Sequence, residues 1–144
     1  MAFPKDAVFK IVTSFHRVVF DLSKGRVFGN GMGMPVLKLT TVGRKSGRRR
    51  STMLTSPLVD GDNVVLVASF GGDDRNPAWF GNLVANPDVE VLMKGSTRPM
   101  RARVAEGTER TRLWEELTSR HSNYAGYQRK TPRQIPVVVL EPRV

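Results

Sequence analysis

A four-residue turn, Asp60-Gly61-Asp62-Asn63, stands between two runs rich in apolar and β-branched residues, 51–59 and 64–70. Such a turn is a strong hairpin signal, because glycine reaches positive φ at no steric cost. The second run carries Val64, Val65, Leu66, Val67 and Ala68 without a polar interruption. A strand of that kind has no wet face and needs cover on both sides. A further hairpin is signalled around Gly95-Ser96, between 89–94 and 97–104. Residues 34–42 set Val36, Leu37, Leu39 and Val42 beside Lys38, Thr40 and Thr41, and 135–141 supply a last strand with Val137-Val138-Val139-Leu140. That makes about six strands, several joined as hairpins, with no strict β-α-β alternation. The expectation is an antiparallel α+β domain whose sheet curls into a small barrel.

Helices punctuate this pattern. Val8, Ile11, Val12, Phe15, Val18, Val19 and Leu22 recur at the three-and-four spacing of one helix face. Pro4 and Gly25 bracket them. This reads as an amphipathic helix on the body of the domain. Phe9 and Phe20, outside the stripe, with basic residues nearby, also suit a helix resting on a membrane surface. Residues 1–33 thus form a helix and a glycine-rich connection (30–33) ahead of the barrel, 34–144. Asn76 as cap and Pro77 in the first turn open a second helix that runs to about Ala85. Residues 106–127 read as one further helix, with Thr108 as a cap and Leu113, Trp114 and Leu117 facing inward.

Composition removes several function classes. There is no cysteine, and the two histidines, His16 and His121, are far apart. Disulfides and thiolate metal sites are excluded, and an imidazole metal centre or a Ser–His–Asp hydrolase finds no matching motif. The net charge of +10 attracts anions. No apolar run reaches transmembrane length and no signal-peptide order is visible, so the chain reads as cytoplasmic, with peripheral contact at the inner face of the membrane allowed.

Three stretches can carry chemistry. Gly43-Arg44-Lys45-Ser46-Gly47-Arg48-Arg49-Arg50 packs five cations into eight residues between two strands. Its backbone N–H groups, the Ser46 hydroxyl and the planar fork of Arg50 suit phosphate or carboxylate. Strand alternation puts Arg48 and Arg50 on one side and Arg49 on the other. The competing reading is a solvated hairpin tip. A second stretch, Asn76 to Leu83, offers a helix start to a phosphate and Trp79 to a ring. Its competitor is a core tryptophan. In the third, Tyr124 and Tyr127 lie three apart and either close over an aromatic substrate or form a half-buried pair.

Leu39-Thr40-Thr41-Val42-Gly43-Arg44-Lys45-Ser46-Gly47, Arg50, Val67-Ala68-Ser69 with Gly71-Gly72, and Asn76-Pro77-Ala78-Trp79-Phe80-Gly81-Asn82-Leu83 follow one another in order. With Tyr124-Ala125-Gly126-Tyr127 and Ile135-Pro136-Val137-Val138, this set resembles the deazaflavin (F420)-dependent nitroreductase and quinone reductase family. The resemblance implies a split β-barrel binding coenzyme F420, an 8-hydroxy-5-deazaflavin with a phosphate and a polyglutamate tail. It implies hydride transfer to quinones, nitroaromatics or related acceptors. Arg44, Lys45 and Ser46 match the phosphate and tail turn, Arg50 the arginine of the next strand, and Ser51, Thr52, Met53 and Leu54 line that strand. Val67, Ala68 and Ser69 match the segment whose backbone meets the ring. Ala78, Trp79 and Asn82 match the helix start near the ribityl–phosphate linkage. Tyr124 and Tyr127 match the substrate-side wall, and with Ser69 are the candidate proton donors. Phe70 stands where members often carry a polar residue, and Thr55 and His121 where some carry tyrosine, so a different acceptor pocket is implied. The rival cofactor is flavin mononucleotide (FMN) on the same architecture, and a second rival is an F420 carrier with little turnover. A nucleic-acid-binding module fits less well, because the charge clusters at one turn and no such motif is present.

Overall fold

The computed structural model describes residues 30–31 and 34–143. The helix expected over 8–22, and any membrane contact through it, lies outside the described residues. Eight strands are present: β1 (Asn30–Gly31), β2 (Met34–Val42), β3 (Arg49–Thr55), β4 (Leu58–Asp60), β5 (Asn63–Val67), β6 (Asp88–Met93), β7 (Ser96–Val104) and β8 (Val137–Pro142). Three helices accompany them: α1 (Ala78–Ala85), α2 (Gly107–Arg120) and α3 (Asn123–Arg129).

All strand pairs are antiparallel, in the order β1-β2-β6-β7-β8-β5-β4, with β3 paired to β2. β3 lies against β2 near one end of this order and β4 closes the other, yet only Ser56 and Pro57 separate β3 from β4 in the chain. A two-residue link between opposite edges forces the sheet to curl on itself, giving the split barrel. Buried Ser56 holds the corner, donating its hydroxyl to the carbonyls of Leu58 and Val65 at 2.9 and 2.8 Å. Its N–H reaches the Pro35 carbonyl at 2.9 Å.

Alternation sorts β5 and β8 into two cores. Val64, Leu66, Val138 and Leu140 join Leu37, Leu39, Val91 and Met100 on one face. Val65, Val67, Val137 and Val139 join Leu113, Leu117 and Ile135 on the other, under α2 and α3. The run 64–68 has no wet face because both of its sides are covered.

Four expectations change. The run 51–59 is two strands, because Pro57 lacks an N–H for the ladder. The 106–127 helix breaks at His121-Ser122 into α2 and α3, and Thr108 lies inside α2, with Glu106 at its flank and no side-chain cap. Asn30 and Gly31 pair with Pro35 and Met34, so part of the glycine-rich connection is strand. Residues 68–70 leave β5, and Phe70–Gly72 form a tight turn in which Gly72 N–H reaches the Ser69 carbonyl at 2.8 Å and Asp73 N–H the Phe70 carbonyl at 3.1 Å.

Candidate functional site

The basic stretch forms the tip of the β2–β3 hairpin. Gly43 N–H donates to the Arg48 carbonyl at 2.7 Å and Gly47 N–H to the Gly43 carbonyl at 2.8 Å. A Cβ on Gly43 would sit 2.6 Å from Ser46 Oγ, so glycine there lets Ser46 fold back and accept from Arg48 N–H at 3.1 Å. Register then divides the charges. Arg50 pairs with Thr41 and shares its face with Thr52 and Leu54, the row continuous with buried Leu37 and Leu39. Arg49, Ser51 and Met53 take the opposite face. Arg49 is committed there to Glu90, Nη2 to Oε2 at 2.5 Å, and that hydrogen bond holds the Glu90 carboxyl below the usual carboxylate range. Ser51 Oγ lies 2.9 Å from Thr40 Oγ1. Residues 51–54 therefore do not form one lining; they alternate between two faces. Among the described residues Lys45, Arg48 and Arg50 make no ion pair with a carboxylate.

Arg44 does something the sequence did not suggest. Its backbone N–H and its Nη1 both donate to Asn82 Oδ1, at 3.1 and 2.9 Å, and Nη1 also donates to the Ala78 carbonyl at 3.2 Å. A Cβ on Gly81 would lie 3.0 Å from the Arg44 guanidinium carbon, so the guanidinium rests on α1 at that glycine. Asn82, only 6 % exposed, completes the joint by donating from Nδ2 to Thr41 Oγ1 at 3.3 Å. Arg44 and Asn82 thus dock the turn onto the start of α1. Asn82→Ala is expected to cost about 2 kcal/mol in urea denaturation, because a buried hydroxyl and the Arg44 donors lose their partner. Asn82→Asp, which keeps the acceptor, is expected to recover part of that loss. A full-stability Asn82→Ala would show that the joint contributes nothing.

Trp79 belongs to the barrel core at 8 % exposure, set edge-on to Phe80 with ring centroids 6.5 Å apart. The ring expected beside a ligand has little surface to offer one. Asn76 is not the cap of α1: Pro77 flanks the helix with no side-chain cap, and Asn76 Oδ1 instead accepts from Arg133 Nη1 at 2.9 Å.

Arg133 is the site residue that sequence reasoning missed. Nη1 also donates to the Ala68 carbonyl at 3.2 Å, Nη2 to the Ser69 carbonyl at 3.0 Å and Nε to the Asp73 carbonyl at 2.8 Å. One guanidinium therefore gathers the whole connection from β5 to α1. Burial pulls its pKa down from the usual arginine value, but arginine keeps its charge in proteins. The clamp is itself anchored: Gln128 Nε2 donates to the Arg133 carbonyl at 2.6 Å, and Thr131 Oγ1 to Asp74 Oδ1 at 2.8 Å. A cation between Pro132 and Gln134 has no feature that separates it from a solvated arginine, since its acceptors lie 57–65 residues away.

Tyr124 and Tyr127 meet edge to face on α3, centroids 5.9 Å apart. Tyr124 is 6 % exposed, its hydroxyl donating to Met34 Sδ at 3.6 Å. Burial pushes its pKa above the ordinary phenol value, so the hydroxyl keeps its proton through neutral pH. Tyr127 is half-buried, with Lys130 Nζ 5.8 Å from its ring centre. A Cβ on Gly72 would lie 2.9 Å from the Tyr127 carbonyl, so the turn after Ser69 is pressed against α3. His121 ends α2, its N–H on the Leu117 carbonyl at 2.9 Å and its carbonyl accepting from Tyr124 N–H at 3.3 Å.

Contacts therefore run without a break from the basic tip to the start of α1, through Asn76 and Arg133 to the Ala68 and Ser69 carbonyls, and on to α3. A curled antiparallel barrel with a cationic hairpin and a helix start along one edge is a split barrel with an edge suited to an anionic ligand. The chain belongs to the F420H(2)-dependent quinone reductase family, whose pattern it matches over residues 13–142. It is 39 % identical over 132 residues to an F420H(2)-dependent quinone reductase of Mycobacterium tuberculosis, covering 89 % of this chain and 88 % of that one. Among solved structures, an F420-H2 dependent reductase is 40 % identical with a TM-score of 0.67, covering 74 % of this chain and 94 % of that one. Another, described as a domain-swapped dimer, is 34 % identical with a TM-score of 0.70, covering 96 % of this chain and all, 100 %, of that one. As a member of this family the protein is an oxidoreductase and its coenzyme is F420. No helix among the described residues is long and apolar enough to cross a membrane.

Proposed function

We propose that the edge from the hairpin tip to α3 holds reduced F420 and presents it to a quinone. The observation that carries this reading is the joining of the basic tip, the helix start and the 67–69 segment by Arg44–Asn82 and by Arg133. The donor set suits the coenzyme. Lys45, Arg48 and Arg50 are exposed and make no carboxylate ion pair among the described residues, so the tip carries charge for more than one phosphate. That surplus fits a phosphate followed by an acidic tail better than it fits FMN.

When bound, the deazaflavin supplies hydride, because carbon replaces the central flavin nitrogen. The protein's residues bind, orient and supply a proton. Lys45, Arg50 and the Ser46 hydroxyl grip the anionic end. Arg44 positions the turn and has one nitrogen already engaged. The N–H groups of Ala78 and Trp79 have no intrahelical acceptor and would receive the phosphate linkage. The backbone of Val67, Ala68 and Ser69, its carbonyls held by Arg133, supports the ring. Ser51 and Met53, on the opposite strand face, line the site less directly than Thr52 and Leu54. Tyr124, Tyr127 and Ser69 hold protons near the acceptor, since a quinone that takes hydride must also take a proton. Nitroaromatics share the flat electron-poor ring and belong to the same acceptor class.

Titration with both coenzymes tests the reading: tighter binding of FMN than of F420 would overturn it. Tyr124→Phe is expected to lower quinone turnover ~10- to 100-fold while leaving F420 affinity within about twofold. Equal losses in both would remove Tyr124 from the acceptor side.

A further inference from the structure

The turn that follows Ser69 holds a feature the coenzyme does not account for. Phe70, Gly71 and Gly72 take three successive positive φ values, +44°, +65° and +86°. Two glycines do this freely, but for a bulky aromatic residue the conformation is an outlier. Phe70 is also 42 % exposed, one of few large apolar side chains left open among the described residues. A strained backbone that displays an aromatic ring to solvent has two costs, and a cation over one face of the ring leaves the rest of it open. Such strain persists only where the surroundings over-determine it. Here they do: Arg133 holds the Ser69 carbonyl on one side of the turn and the Asp73 carbonyl on the other.

One face of the ring is already taken. The Arg75 guanidinium lies over it, 5.5 Å from the centre. Arg75 is fixed in turn by Asp73, with Nε to Oδ1 at 3.1 Å and Nη2 to Oδ2 at 3.2 Å. The exposed remainder of the ring directly follows the 67–69 segment, and its turn abuts the Tyr127 carbonyl.

We propose that Phe70 is a specificity-determining residue of the acceptor site, whose open ring surface stacks on the flat ring of a quinone. This rests on the F420 reading of the site. Because stacking and apolar burial grow with ring area, Phe70 favours a bicyclic naphthoquinone over a single-ring quinone.

The test compares Phe70→Gly and Phe70→Leu with the parent, using reduced F420 as donor and menadione or 1,4-benzoquinone as acceptor. F420 binding is followed by fluorescence and folding by Tm. Phe70→Gly relieves the strain, so its Tm is expected to be no lower than the parent's. Phe70→Leu keeps apolar bulk and loses the flat face. Both variants are expected to raise the KM for menadione about tenfold, to change that for benzoquinone less than about threefold, and to leave F420 affinity unaltered. An unchanged menadione KM in a folded, F420-binding Phe70→Gly overturns this inference alone, as does an equal rise for both quinones. Failure of the parent protein to bind F420 overturns the coenzyme reading, and this inference falls with it.

Discussion

Arg133→Ala is expected to lower stability by about 3 kcal/mol and Tm by about 10 °C, and to weaken F420 binding more than tenfold. Removal of the guanidinium strips a charged donor from the carbonyls of Ala68, Ser69 and Asp73 and from Asn76 Oδ1. Each such bond is worth about 1.5–3 kcal/mol in isolation. Their sum is not expected, because the loop is only part-buried and water replaces some donors. The loss should reach the coenzyme because the same four groups set the 67–69 segment and the entry to α1. Arg133→Lys keeps the charge but not the planar fork, and is expected to recover less than half of either loss. Thermal denaturation and F420 fluorescence titration read the two effects separately. A destabilised Arg133→Ala with parental F420 affinity would place the loop outside the coenzyme site.

The double variant Lys45→Ala/Arg50→Ala is expected to raise the Kd for F420 about a hundredfold at low salt, shrinking toward about tenfold in molar salt as screening grows. Folding should be nearly unaffected, since both side chains are exposed and have no carboxylate partner among the described residues. Arg49→Ala is the control. It carries the same charge at the same hairpin, yet points to the other face and is paired with Glu90, so the Kd is expected to stay within about twofold. A roughly tenfold loss from Arg49→Ala, half of the double variant's effect in free energy for half of its charge, would mean that net charge, not placement, governs binding.

The turns and the apolar runs were legible because their causes are local. Gly61 at φ +63° closes β4 onto β5 as the Asp-Gly-Asp-Asn turn requires. Val64 to Ala68 announced a doubly covered strand, and the two cores supply that cover. The Arg49/Arg50 alternation followed from the two-residue period of a strand. Less legible was anything settled by a partner far along the chain. Asn76 had every local mark of a cap, but Arg133 offers its side-chain oxygen a charged donor and Pro77 takes the flank. Thr108 had the same marks and lies one position inside α2. Trp79 sits on the face of α1 that meets the barrel, which no local pattern could decide against the alternative of an open ring.

By itself, then, the sequence determined the class of fold, the crowding of cations at one hairpin and the order of motifs that places the chain in its family. These depend on short-range φ preferences, on strand and helix periods and on charge density. Only the tertiary structure decided which of those motifs touch. It turned Arg44 from a free phosphate ligand into the joint to α1, divided 51–54 between two faces, buried Trp79 and Tyr124, and brought Arg133 onto a loop about sixty residues away. The physical reason is closure of the barrel. Linking opposite sheet edges through Ser56 and Pro57 brings remote segments into hydrogen-bond range, and a hydrogen bond specifies its partner only once the fold has placed both groups.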